Sequence, residues 1–390
     1  MKRLFVFLLA LGLLAGCSSA PARFLPYEPA QSAFSLLPVR SKRPPPPEEP
    51  QPDPRQEAID ALLSTMTVEE KVGQLFFARC PLNDGAALAQ EYHLGGYLLF
   101  GRDFKHKTRE QVQETIASYQ AAASIPMLMG VDEEGGTVAR VSTNPNLRAQ
   151  RFSSPQELYA QGGLEAIVAD TAEKDALLQD LGIHVNFAPV ADLSTDPEDF
   201  IYPRTLGRGA QETANYISAV VSQMESDGMG SVLKHFPGYG PNEDTHTGSA
   251  LDERPLDQFR AEDFLPFQAG FQAAQKGRTA VLVSHNIMAA VDDTLPASLS
   301  PAVHQLLREE LGFPGVILTD DLAMAAAAEY GTSAAVLALL AGNDMLVTTD
   351  FASEIPQVLS ALQEGTLTMQ QIDQAAARVL GWKYDLGLLS

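Results

Sequence analysis

From residue 74 to residue 348 the chain repeats one pattern: a short, almost wholly apolar run, then a longer stretch in which apolar residues return every three or four positions. The apolar runs fall at 74–78, 96–100, 126–131, 184–191, 231–235, 280–284, 316–319 and 345–348. They are short, and continuous rather than alternating, as parallel strands are when helices cover their outer faces. The stretches between them have helical length and spacing, among them 110–123, 165–181, 211–227, 256–275, 301–311 and 334–341. Start signals agree: Ser300 precedes Pro301, a hydroxyl cap followed by proline at the first helical position. Thr67 stands three residues before Glu70, the spacing of a capping box, and a helix over 60–65 precedes it. Eight strand–helix units predict an α/β fold, a (β/α)8 TIM-like barrel, formed as a single domain over 55–390. Periodicity alone leaves an open doubly wound sheet as the alternative. No Gly-x-Gly-x-x-Gly follows the first run, which argues against a dinucleotide site.

In a barrel the carboxyl ends of the strands form the mouth, and the residues there are polar: Arg79, Asp132, Asp192, Lys234 with His235, His285, Asp320 with Asp321, and Asp350. Any one of them is accounted for by a helix cap or a loop ion pair. Their convergence on one opening predicts a polar pocket for a hydroxyl-bearing ligand. The stretch 234–246 carries the sharpest signal, since an apolar run breaks at Pro237, Gly238 and Gly240 into a loop holding Asp244 and His246 one residue apart. A carboxylate beside an imidazole fixes its tautomer and raises its proton affinity, which suits a group that donates and then accepts a proton. Asp320 would face that loop, and a carboxylate opposite a proton donor is an arrangement for glycosidic bond cleavage. Asp132 and Arg140, a short loop apart, would orient a pyranose ring.

Several segments in order carry a family resemblance. Lys234-His235-Phe236-Pro237-Gly238, followed by Asp244-Thr245-His246, resembles the signature of the β-N-acetylhexosaminidases of glycoside hydrolase family 3. Segments 66–75, 132–136, 186–192 and 319–324 are similar to family segments as well, and the resemblance runs from about residue 58 to residue 387. It implies a retaining exo-β-N-acetylglucosaminidase in which Asp320 is the nucleophile, His246 the acid/base and Asp244 its orienting partner. It further implies that Asp132, Arg140, Arg204, Lys234 and His235 hold the N-acetylglucosamine ring, with His285 lining the same pocket. Phosphorolysis is the alternative chemistry, because a neutral imidazole does not repel phosphate; a non-catalytic glycan-binding lipoprotein is the alternative class. Family β-glucosidases usually carry a second domain after the barrel, and this chain ends soon after Trp382-Lys383-Tyr384, which favours the single-domain branch. Two residues depart from the family pattern. Tyr239 stands where a second histidine is common, either as a tolerated substitution or as an aromatic platform for the next sugar, and Thr137 replaces a frequent arginine.

The amino terminus adds an address. Residues 1–16 have the layout of a secretory signal, and Leu14-Ala15-Gly16-Cys17 resembles the bacterial lipobox, so Cys17 is expected to be lipidated. Proline-dense residues 17–54 read as a tether, and Ser18 favours the outer membrane, on its periplasmic or surface side. The chain holds 27 Lys and Arg against 49 Asp and Glu, a net charge of -22, which excludes nucleic acid as an expected partner. With Cys17 lipidated, Cys80 has no cysteine to pair with. No cofactor or metal is implied, and the chain is expected to act as a monomer on a carbohydrate bearing terminal N-acetylglucosamine.

Overall fold

The computed structural model describes residues 53–390 apart from 246, 247, 249 and 331–333. The signal, Cys17, nearly all of the expected tether and His246 therefore lie outside the described residues.

Each predicted apolar run contains a strand. The barrel strands are β1 (Phe76–Arg79), β2 (Gly96–Leu99), β3 (Leu128–Val131), β4 (Val185–Asn186) and β5 (Gly230–Phe236). Beyond a short outer strand β6 (Leu251–Asp252) come β7 (Thr279–Val283), a second outer strand β8 (Ile287–Met288), β9 (Ile317–Thr319) and β10 (Leu346–Thr348). The eight-stranded sheet runs β10-β1-β2-β3-β4-β5-β7-β9, every pairing parallel, while β6 and β8 pair separately. A parallel bridge between Leu318 and Met345 joins the two edges, with the Thr319 amide donating to the Met345 carbonyl at 3.1 Å. The sheet is thus a closed barrel.

Two aromatic rings pack inside it. Phe77 and Phe187 meet edge to face, centroids 5.1 Å apart. A Cβ on Gly130 would lie 2.7 Å from the Phe77 ring and 2.8 Å from that of Phe187, so β3 needs glycine at this point. At the base, the fully buried Lys383 ammonium nitrogen donates to Gln74 Oε1, and burial pushes that lysine down to about 7.

Caps predicted from sequence are present: Thr67 and Glu70 make the reciprocal capping box of helix Val68–Gln74, and the Ser300 hydroxyl accepts from the Val303 amide. Three predicted helices differ in detail. The one expected over 165–181 starts earlier, as Pro155–Asp180, and kinks at Gly162 and Gly163. The stretch 301–311 is an α-turn, Pro301–Gln305, continued by a wider π-turn, Leu306–Glu310. The stretch 256–275 is two helices, Leu256–Ala261 and Phe264–Ala273. The break falls at Glu262, which leaves helical geometry, and next to it Asp263 is buried against Arg254, whose Nη1 donates to it at 2.9 Å. The closing helix Met369–Asp385 packs on the first, Pro54–Thr65, through paired bonds from the Arg55 guanidinium to Asp385 at 2.8 and 2.7 Å.

Candidate active site

The barrel mouth opens into a cavity of about 800 Å³ lined by four carboxylates, Asp132, Asp244, Asp320 and Asp321, and four cations, Arg79, Arg140, Arg204 and Lys234. His235, Phe100, Phe187, Phe200 and Pro203 complete much of its wall. Arg79, Asp132, Lys234, His235 and Asp320 come from strand ends, where the parallel sheet stops, and Arg140, Phe200, Pro203, Arg204 and Asp244 from the loops beyond them.

The β3 end shows how a short acidic run divides its labour. Asp132 faces the cavity and accepts from Lys234 Nζ at 2.7 Å. Glu133 points the other way and is buried; it accepts from the amides of Arg140 and Val141, each at 2.7 Å, and from Ser142. One carboxylate thereby pins the return of the loop and fixes where Arg140 leaves the backbone. Glu134 is buried between two cations, accepting from Arg204 Nη2 at 2.7 Å and Nε at 3.0 Å, with Lys234 Nζ at 2.6 Å. Burial alone would raise the Glu134 carboxyl, but Arg204 and Lys234 outweigh it and hold the group far below the usual carboxylate range. Lys234 therefore bridges Asp132 and Glu134, and its ammonium has a single defined position.

Asp192, at the end of the β4 segment, is fully buried and does not line the cavity. It accepts from the His235 amide at 3.0 Å, from His235 Nδ1 at 2.6 Å and from the Tyr239 amide at 2.7 Å. A guanidinium can only donate, and Arg204 Nη2 lies 3.1 Å from His235 Nε2. The His235 ring is thus held from both sides, by Asp192 at Nδ1 and by Arg204 at Nε2.

Asp320 follows β9 and borders the cavity. Its amide donates to the Val283 carbonyl, and its Oδ1 accepts from the Asp321 amide at 2.9 Å. Burial would raise this carboxyl too; His235, His285, the Asp321 amide and Lys234 together reverse that and keep it below its ordinary range. A carboxyl held in this way is ionised near neutral pH.

Three further sequence expectations need adjustment or correction. His285 does not line the cavity: it is buried behind the Asp320–Asp321 turn, with Nδ1 2.6 Å from Ser298 Oγ and Nε2 3.0 Å from the Asp321 carbonyl. It supports the turn instead. Tyr239 is no platform, because its ring is 2% exposed. The exposed aromatic on the cavity wall is its neighbour Phe200, centroids 5.7 Å apart. Asp350, another strand-end residue, is likewise absent from the cavity wall.

Sequence reasoning also passed over Glu134 as a site residue, although it stands between two residues that were read, and Phe100, which ends an apolar run. The Phe100 ring packs against the Arg79 guanidinium at 4.2 Å and the Arg140 guanidinium at 5.7 Å. Among the described residues, the Nε atoms of Arg79 and Arg140 are buried without a hydrogen-bond partner. Both belong to residues on the cavity wall, where an oxygen-rich ligand could supply the missing acceptor.

A closed parallel barrel with opposed charges and unsatisfied donors at its carboxyl end is the build of a barrel enzyme for a polar, hydroxyl-bearing substrate. Residues 67–381 match the family model described as the glycosyl hydrolase family 3 N-terminal domain, and the chain belongs to that family. It is 36% identical over 300 residues to a beta-hexosaminidase of Stenotrophomonas maltophilia, covering 74% of this chain and 86% of that protein. A beta-hexosaminidase of Xanthomonas campestris pv. campestris is 35% identical over 294 residues, with coverage of 74% and 87%. Among solved structures, a glycoside hydrolase family 3 beta-N-acetylglucosaminidase from Paenibacillus sp. superposes with a TM-score of 0.76 at 29% identity. That match covers 83% of this chain but only 63% of the other, which is longer. A family member from Mycobacterium smegmatis is similar nearly end to end, with a TM-score of 0.72, 27% identity and coverage of 84% and 98%.

Proposed function

We propose that the protein is a retaining exo-β-N-acetylglucosaminidase that removes terminal β-linked N-acetylglucosamine from peptidoglycan fragments or chitooligosaccharides. It is a glycoside hydrolase of the β-hexosaminidase kind, and its substrate is a carbohydrate; the names of its relatives support N-acetylglucosamine as the sugar. The observation that carries the finer reading is Asp320, an ionised carboxylate at a strand end in the same cavity as Asp132, Arg140, Arg204, Lys234 and His235.

In this reading Asp132 accepts from ring hydroxyls while Lys234, Arg140 and Arg204 donate to sugar oxygens; the ion pairs of Lys234 with Asp132 and Glu134, and of Arg204 with Glu134, hold those two cations in place before the sugar arrives. Asp320 attacks the anomeric carbon as the glycosidic bond breaks, and His246 gives its proton to the departing oxygen. Water then attacks the glycosyl ester, His246 takes the proton from that water, and Asp320 leaves as a carboxylate. Asp244 orients His246 throughout. Cys17 carries a lipid that holds the enzyme to a bacterial membrane, the outer one where there are two, and the enzyme works as a monomer; the lipobox-like residues 14–17 support the anchor.

The test is turnover of p-nitrophenyl β-N-acetylglucosaminide and β-glucoside by the protein and by Asp320→Ala and His246→Ala, with the first-formed anomer read by NMR. Retained β-anomer, preference for the N-acetyl sugar and loss of turnover in Asp320→Ala are expected. An inverted product, or turnover surviving in Asp320→Ala, would sink the mechanism. Sugar 1-phosphate formed in added phosphate would move the assignment to phosphorolysis.

A further inference from the structure

Tyr239 has no part in the chemistry above, yet it is the most heavily tied residue of the loop that follows β5. Its amide donates to Asp192 at 2.7 Å, and its carbonyl accepts from Asn242 Nδ2 at 2.7 Å and from Asn286 Nδ2 at 3.5 Å. Its ring meets His235 edge on, centroids 5.5 Å apart, and touches Phe200 on the other side. Its hydroxyl accepts from the Thr245 amide at 2.9 Å and lies 2.8 Å from Thr245 Oγ1, to which it can give its own proton. Thr245 is itself fully buried.

The position of that last contact matters. Thr245 separates Asp244 from His246 in the chain, so the phenol grips the backbone between the two residues assigned to proton transfer. Through its amide the same residue is fixed to Asp192, which also fixes His235 on the sugar-facing wall. One side chain thus spans the distance from the sugar-binding wall to the acid/base segment. Support from behind is independent of it: Asn242 Nδ2 also donates to Asp252 at 2.7 Å, and Arg254 bridges Asp252 and Asp263.

We propose that Tyr239 is a positioning residue that sets the acid/base segment against the sugar-binding wall through the Thr245 backbone and hydroxyl. Accepting from the amide and donating to the hydroxyl with one oxygen requires the neutral phenol, and burial pushes Tyr239 up to about 12, so the contact persists throughout the working pH range. It rests on the proposed mechanism, but makes a claim that the mechanism does not: without the phenol oxygen, proton transfer fails while nucleophilic attack survives.

The experiment compares the wild-type protein, Tyr239→Phe and Thr245→Val on 2,4-dinitrophenyl and methyl β-N-acetylglucosaminides and on chitobiose. Dinitrophenolate leaves without protonation, so kcat/KM on that substrate reports attack by Asp320 alone, whereas its kcat includes the water step that needs the base. Misplacing a proton donor costs roughly 10- to 100-fold. Tyr239→Phe should therefore keep kcat/KM on the dinitrophenyl substrate within about 3-fold, while its kcat, and kcat/KM on chitobiose and the methyl glycoside, fall about 10- to 100-fold. Thr245→Val, which retains the amide, should show a smaller loss of the same pattern. Retained kcat/KM on the dinitrophenyl substrate also establishes that the variant is folded. An equal loss on every substrate, or none on chitobiose, overturns the positioning role. A wild-type protein inert toward the dinitrophenyl substrate overturns the hydrolase mechanism itself, and this role with it.

Discussion

Replacing Glu134 by glutamine removes one charge from a deeply buried ion cluster and leaves its shape intact. The carboxylate is buried, as is the Lys234 ammonium, and Arg204 is mostly so, which puts these pairs in the class where removing one partner strands the others. Breaking a buried pair in this way typically costs about 3–5 kcal/mol. Here the loss belongs at the low end, about 3 kcal/mol, because Lys234 keeps Asp132 and the glutamine oxygen still accepts one N–H. For a domain of this size that is a fall of roughly 4 °C in Tm. The sign of the pH dependence follows from the depressed carboxyl. Above about pH 4.5 the unfolded glutamate is ionised as well, so the stabilisation is fully present. As pH falls below that toward the folded value the unfolded chain takes up the proton first, and the advantage over the glutamine variant shrinks. Thermal melts of the two proteins at pH 7 and at intervals down to pH 3.5 measure this directly. Equal melting temperatures at pH 7, or a gap that widens on acidification, would refute the account of Glu134 as the anion that organises Lys234 and Arg204.

Asp320→Asn should lower kcat/KM on p-nitrophenyl β-N-acetylglucosaminide by at least about 10³-fold with an unchanged far-ultraviolet spectrum, and residual activity near wild type would remove Asp320 from its role. Lys383→Met should raise Tm at pH 7, because a lysine pushed down to about 7 is about half deprotonated in the fold at that pH, whereas the unfolded chain keeps it protonated up to about pH 10.4. That gain should narrow as pH approaches 10, and a Met variant less stable at every pH would show that the bond to Gln74 outweighs burial. Burial pushes the Cys80 thiol up to about 11, so iodoacetamide at pH 8 should leave Cys80 unmodified in the native protein and alkylate it after denaturation, as read by peptide mapping.

The strands were legible because parallel strands buried on both faces leave continuous apolar runs, and the mouth because the residues just beyond them are charged. Caps at Thr67 and Ser300 were legible for the same local reason: hydroxyl, spacing and proline lie within four residues of one another. What escaped was set by contacts far apart in sequence. The break after Ala261 sits beside the Arg254–Asp263 pair, and helical periodicity runs through it unmarked. Glu133 and Glu134 are indistinguishable as letters, yet one binds three backbone amides and the other two cations. Tyr239 was open to two readings because its burial depends on Phe200 and His235, which different loops bring to it.

The two rings inside the barrel have a consequence for traffic. Phe187 belongs to the cavity wall, and Phe77 packs against it from within the barrel, so the pocket is a cul-de-sac with one doorway. A glycan cannot thread through; it can only insert its tip and withdraw. If the proposed mechanism holds, the severed remainder must depart before the sugar left on Asp320, and released monosaccharide then competes with fresh chain ends for the same entrance. On that same mechanism a second chain end that enters ahead of water would accept the sugar, so a single door sets hydrolysis against transfer as glycan concentration rises.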